Sequence, residues 1–241
     1  EMVGVSGGTG VAGVEAPEPE EGDGAETGAA ADSDGAQGTD GPDAADGGLS
    51  AHSDNAEAQG AGTGTSDEGS PLKLVFAGDI LLSDHVLGAY RKAGNIGGVV
   101  DSGFRQVIDG SDIFMANEEF PFSSRGTAAA DKQFTFRLPP EHVSMFQELG
   151  IDIVTLANNH ALDFGTDALL DTCSTLDDAG ILRVGAGANL EEAKKPVFME
   201  AKGRRIGFLG ASRVIPEGSW NATSKGPGML TTYDPALLLE E

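Results

Sequence analysis

The chain has 241 residues and a formal net charge of −24, an acidic balance that argues against binding the phosphate backbone of nucleic acids. Its single cysteine, Cys173, excludes an internal disulfide. No apolar run reaches the roughly 18 residues that a membrane-spanning helix needs.

Charge and apolar content are unevenly spread. Residues 1–70 hold 16 Asp and Glu but no Lys, Arg or aromatic residue, which leaves −8 for residues 71–241. A Gly/Ala/Asp-rich segment of this kind cannot bury enough apolar surface to offset its ordering entropy. It reads as a disordered acidic linker with an r.m.s. reach of roughly 45 Å. The chain opens EMVGVSGG, without an initiator Met, which fits a targeting or anchoring segment upstream.

From Leu72 strand and helix patterns alternate. LKLVFAG is a short apolar run ending at Asp79, a strand. VVDSGFRQVIDG carries Val100, Phe104, Val107 and Ile108 at helical spacing. DIFMAN is a second strand, and QFTFRL alternates with Phe134 and Phe136 on one face. PPEHVSMFQELG opens on proline and closes on Gly150, the usual punctuation of a helix. IDIVTLA is the next strand. TDALLDTCSTLDDAG is a helix with Thr166 as N-cap and Leu169, Cys173 and Leu176 on one stripe. Cys173 is therefore expected in the core. ILRVGA, PVFMEA and RRIGFLGA read as three further strands. A Gly/Pro/Ser-rich loop from Ala211 follows, then the start of a helix at ALLLEE.

Strands alternating with helices predict an α/β domain over residues 71–241 with a largely parallel sheet. Such sheets bind ligands at the carboxyl edge of their strands. Three strands in succession end there in donors: Asp79, then Asn117 and Glu119, then Asn158, Asn159 and His160. A turn explains any one of these endings but not their recurrence. Carboxylate, amide oxygen and imidazole together suit a divalent ion such as Mn²⁺, Fe or Zn²⁺. Arg137, Ser212 and Arg213 are further candidates for contacts to an anionic substrate. GAGANL, DSDGAQGTDGPD and NAT imitate a dinucleotide loop, a calcium loop and a glycosylation sequon. The first two lack required residues, and the third matches by spelling only.

FAGDILL, MANEEFPFS and TLANNHALDFG, in this order, resemble the CapA family of bacterial poly-γ-glutamate capsule synthesis. SRVIPEGSWNATSKGPG and TYDP extend the resemblance over about residues 72–235. It implies a calcineurin-like metallophosphoesterase-type α/β sandwich, of which residues 71–241 are the N-terminal part. It also implies Asp79, Glu119 and Asn159 as metal ligands, Asn117 beside them, His160 as general acid and Asp163 as an orienting residue. The implied function is metal-dependent hydrolase or transferase chemistry in capsule biosynthesis, outside the cytoplasm and attached to membrane or wall through a tether upstream of residue 1. The implied partner is the anionic polymer or its synthesis complex. The alternatives are a non-catalytic scaffold for that polymer and a general metallophosphoesterase. The chain departs from the metallophosphoesterase pattern at Leu81, where a histidine is usual, and at the NEE of its second motif. It also lacks the downstream histidines, having only His52, His85, His142 and His160.

Overall fold

The computed structural model describes residues 69–233 and 235–239. The expected acidic linker therefore lies almost wholly outside the described residues. Within them the chain is mixed α/β and built on a parallel sheet, in keeping with the metallophosphoesterase-type fold that the family resemblance implies.

Four strands form that sheet: β1 (Leu74–Ile80), β2 (Ile113–Glu118), β3 (Ile153–Thr155) and β4 (Leu182–Val184), in the order β1-β2-β3-β4 and all parallel. Between them run α1 (Asp84–Ala93), α2 (Ser102–Asp109), α3 (Val143–Leu149) and α4 (Gly165–Asp178). The central strands β2 and β3 are mostly apolar because both of their faces are covered, whereas Phe76 of β1 is exposed. On one face Phe114, Ala116 and Val154 meet Leu87 of α1, Ile108 of α2, Phe146 of α3 and Leu169, Cys173 and Leu176 of α4. On the other, Ile113, Ile153 and Val184 meet Phe208 and the chain around it.

That second face is covered by a hairpin. Strands β6 (Val197–Ala201) and β7 (Arg204–Phe208) pair antiparallel. The two residues joining them, Lys202 (φ 49°) and Gly203 (φ 70°), are both left-handed, as a two-residue turn matched to strand twist requires. Short strands β5 (Ala186–Gly187) and β8 (Gly228–Met229) make a separate antiparallel pair around α5 (Leu190–Ala193). The last element is α6 (Ala236–Leu239).

Three local expectations are corrected. QFTFRL is not a strand. Phe134 is 61% exposed, Leu138 makes only an isolated bridge with Phe122, and the Phe136 amide donates to the Asp163 carboxylate at 2.7 Å instead of to a neighbouring strand. Thr166 does not cap α4, which starts one residue earlier at Gly165 without a side-chain cap. On α2 only Ile108 of the expected stripe is fully buried, whereas Phe104 and Val107 are exposed. Cys173 is buried as expected, and burial pushes its thiol up to about 12.

Candidate functional site

The carboxyl edge of the parallel sheet is shaped by an irregularity in β1. Phe76 pairs with Met115 but Asp79 pairs with Asn117, so β1 carries one extra residue at Ala77–Gly78. A bulge of this kind re-aims the side chain beyond it. Here it sets Asp79 beside Asn117, and the Asn117 amide donates to Asp79 Oδ1 at 2.7 Å. The same nitrogen donates to Glu119 Oε2 at 2.8 Å, so two carboxylates from different segments share one amide. The Asn158 amide holds this arrangement from the next strand end, donating to Asn117 Oδ1 at 3.1 Å and to the Glu118 carbonyl at 2.7 Å.

Strand alternation separates the two glutamates of the NEE motif. Asn117 faces the same side as Ile113 and Met115, and Glu119 meets it past the end of the strand. Glu118 turns the opposite way, toward the helix-covered core. It is 1% exposed, and neither of its carboxylate oxygens has a hydrogen-bond partner among the described residues. Burial raises its pKa well above the ordinary glutamate value. The Glu119 carboxyl is also raised, first by burial and then by the neighbouring Asp79 charge, with the Asn117 hydrogen bond and His160 opposing.

The polar turn after β3 is an ordered network. Asn158 Oδ1 accepts the His160 backbone amide at 2.8 Å. The His160 ring stacks 4.5 Å from Phe136, tilted by 37°. Its Nδ1 lies 2.7 Å from Asp163 Oδ2, and its Nε2 lies 3.6 Å from Glu119 Oε1. Asp163 is fully buried and faces inward, where it pairs with the Lys132 ammonium. Lys132 also donates to the Asn159 carbonyl at 2.6 Å, lies 2.9 Å from His160 Nδ1, and sits over the buried Trp220 ring at 5.2 Å. The chain passes Asp131 in the left-handed region (φ 57°) immediately before Lys132.

These groups border a cavity of about 410 Å³ lined by Asp79, Asn117, Glu119, Asn158, Asn159 and the segment Leu209–Ser212 after β7, among others. Of the residues singled out from sequence, the fold brings Asp79, Asn117, Glu119, Asn159 and Ser212 to this cavity, with His160 against Glu119 at its edge. Ser212 spends its hydroxyl on its own loop, donating to the Val214 carbonyl at 2.9 Å. Arg137 and Arg213 are not among the lining residues. Arg137 donates to the Arg125 carbonyl at 2.7 Å and stacks on Phe164; Arg213 lies over Tyr233. Lys132 was not singled out from sequence. It sits in the stretch AAADKQ, and its hydrogen-bond partners are 27 to 31 residues away.

The donor types suit a divalent ion such as Mn²⁺, Fe or Zn²⁺ in kind: the two carboxylates Asp79 and Glu119, the amide of Asn159 and the His160 imidazole. Among the described residues no group of three or more His, Cys, Asp or Glu side chains converges so as to hold a metal ion. An ion here would draw on Asp79 and Glu119 together with the amide oxygen of Asn159. No helix among the described residues is long and apolar enough to cross a membrane.

Residues 73–236 match the profile of the family described as "Bacterial capsule synthesis protein PGA_cap". The chain is 30% identical over 180 residues to the "Capsule biosynthesis protein CapA" of Bacillus anthracis, covering 72% of this chain and 42% of that protein. It is 29% identical over 173 residues to the "PGA biosynthesis protein CapA" of Bacillus subtilis (strain 168), covering 70% and 44%. A "Probable polyglutamine synthesis accessory protein" of Mycobacterium tuberculosis is 35% identical over 130 residues, covering 52% and 34%. The chain thus spans less than half the length of these relatives.

Proposed function

The chain belongs to the bacterial capsule synthesis protein family PGA_cap, and from that premise we propose that it serves poly-γ-glutamate capsule synthesis by metal-dependent hydrolysis or transfer at the carboxyl edge of its sheet. One observation carries the catalytic part. Asp79 and Glu119, from two different strand ends, share the Asn117 amide beside an imidazole whose Nδ1 is anchored and whose Nε2 faces Glu119.

Asp79, Glu119 and Asn159 would hold a divalent ion, which when bound polarises a phosphoryl or amide oxygen and activates water. The chain's own residues do the rest. Asn117 fixes both carboxylates in register. His160 exchanges a proton with the reacting group through Nε2, because Nδ1 is committed to Asp163. Phe136 and Trp220 shield the rear of the ring and of Lys132 from solvent. The acceptor is the anionic polymer or its synthesis complex, and the protein works outside the cytoplasm, where a capsule is laid down.

A second reading is a non-catalytic component that guides the polymer. The sparse set of strong metal ligands, with Leu81 in place of a histidine, favours it. His160→Ala separates the two. The catalytic reading expects metal-dependent cleavage of a model phosphodiester to vanish, with the fold intact by circular dichroism and capsule output lost in cells carrying the substitution. Undiminished capsule output from those cells would overturn it in favour of the guide.

A further inference from the structure

We infer that the Lys132–Asp163 pair locks neutral His160 in the tautomer that carries its proton on Nδ1, so that a bare Nε2 lone pair faces the Glu119 side of the cavity. Both Lys132 Nζ and Asp163 Oδ2 lie within hydrogen-bond range of Nδ1, at 2.9 and 2.7 Å. Only one of these contacts can carry the ring's hydrogen bond, since a bare Nδ1 accepts and a protonated one donates.

Lys132 has other acceptors for its protons: the Asn159 carbonyl, Asp163 Oδ1 and the face of Trp220. Asp163 Oδ2 has no such freedom. It already accepts the Phe136 amide at 2.7 Å, and its ion pair with Lys132 keeps the carboxylate an acceptor on both oxygens. An unprotonated Nδ1 would set two lone pairs against each other at 2.7 Å with no proton between them. A proton on Nδ1 resolves that contact and leaves Lys132 satisfied elsewhere. Lys132 is thus a positioning residue: it touches Asp163 and, through it, decides whether the Nε2 that meets the cavity is bare or protonated.

The consequence is an acceptor-only surface. The bare Nε2, Glu119 Oε1 at 3.6 Å and the Asp79 carboxylate tied through Asn117 all present lone pairs. Such a surface selects a cation or a donor group. That consequence rests on the proposed function, but the tautomer is observable in the resting protein without substrate, metal or activity, so the two can fail separately.

Long-range ¹H–¹⁵N correlation spectra distinguish a protonated from a bare ring nitrogen. The chain has four histidines, and His160→Ala identifies the relevant signal. In mildly alkaline buffer the wild type is expected to show Nδ1–H and a bare Nε2. In Asp163→Asn, Lys132 draws the amide oxygen to itself and turns the NH₂ toward Nδ1, so the tautomer inverts to Nε2–H. In Lys132→Met/Asp163→Asn that demand is gone. The amide oxygen then returns to the Phe136 amide and the ring reverts to Nδ1–H. Nε2–H in the wild type or in the double variant, or Nδ1–H retained by a folded Asp163→Asn, overturns the assignment. Should Asp163→Asn alone not fold, the wild type decides: Nδ1–H supports the assignment and Nε2–H overturns it.

Discussion

Glu118→Met should make this protein more stable, and by an amount that grows with pH. Both Glu118 carboxylate oxygens are buried without a partner among the described residues, in a side chain 1% exposed on the core face of β2. A buried polar group left unpaired costs about 1–3 kcal/mol, and methionine fills a similar length without polar oxygens. The gain is therefore about 1–3 kcal/mol while the carboxyl is neutral, which for a domain of this size raises Tm by roughly 2–12 °C. The pH dependence has a definite sign. The folded carboxyl is raised above its ordinary value of 4.5. Its stability contribution is therefore fully present below 4.5 and is lost as pH rises through the folded value. Methionine has nothing to lose, so the advantage of the variant widens as pH rises above 4.5 and levels off only above the raised folded value. Urea denaturation at several pH values, with m checked for constancy, measures this directly. A variant less stable than wild type at neutral pH, or an advantage that does not change with pH, would refute the reasoning and require a partner for the carboxylate.

Gly126→Ala tests how the loop carrying Lys132 is closed. Gly126 has φ 88°, and an added Cβ would lie 1.9 Å from the Phe164 carbonyl oxygen. The left-handed conformation alone costs about 1–2 kcal/mol, so a urea midpoint unchanged from wild type would contradict the packing described. Asp112→Asn tests the acid limb of stability. The Lys73 backbone amide and then Lys202 hold the Asp112 carboxyl below its ordinary 3.8. That contribution is present above 3.8 and lost as pH falls through the depressed folded value. The variant should show a shallower fall in stability below about pH 4; equal acid limbs would count against the contact.

How much of this was legible in the sequence depended on the range of the forces involved. Runs such as DIFMAN and IDIVTLA announced buried strands, and their abrupt polar endings placed Asp79, Asn117, Glu119 and His160 at one sheet edge. Period-two alternation also held the signal that Glu118 and Asn117 face opposite ways. The bulge at Ala77–Gly78 left no such trace, because it depends on the register with β2. Lys132 was hidden because its role comes from Asp163 and His160, brought to it by tertiary contact. Phe134 and Phe136 imitated a strand, yet no neighbouring strand offers them a ladder, and one of the two amides serves a carboxylate instead. PVFMEA and RRIGFLGA read as strands in the sequence, but the Lys202–Gly203 turn between them makes that part of the structure antiparallel.

Isothermal titration of the whole chain with Mn²⁺, and with Zn²⁺ in parallel, puts the shared-cavity claim to its hardest test. Saturable binding is expected, weakened at least tenfold in Asp79→Asn and in Glu119→Gln. Ion at a hundred times its Kd should stabilise the fold by about 2.7 kcal/mol. No binding by the wild type, or equal binding by both variants, would contradict the account.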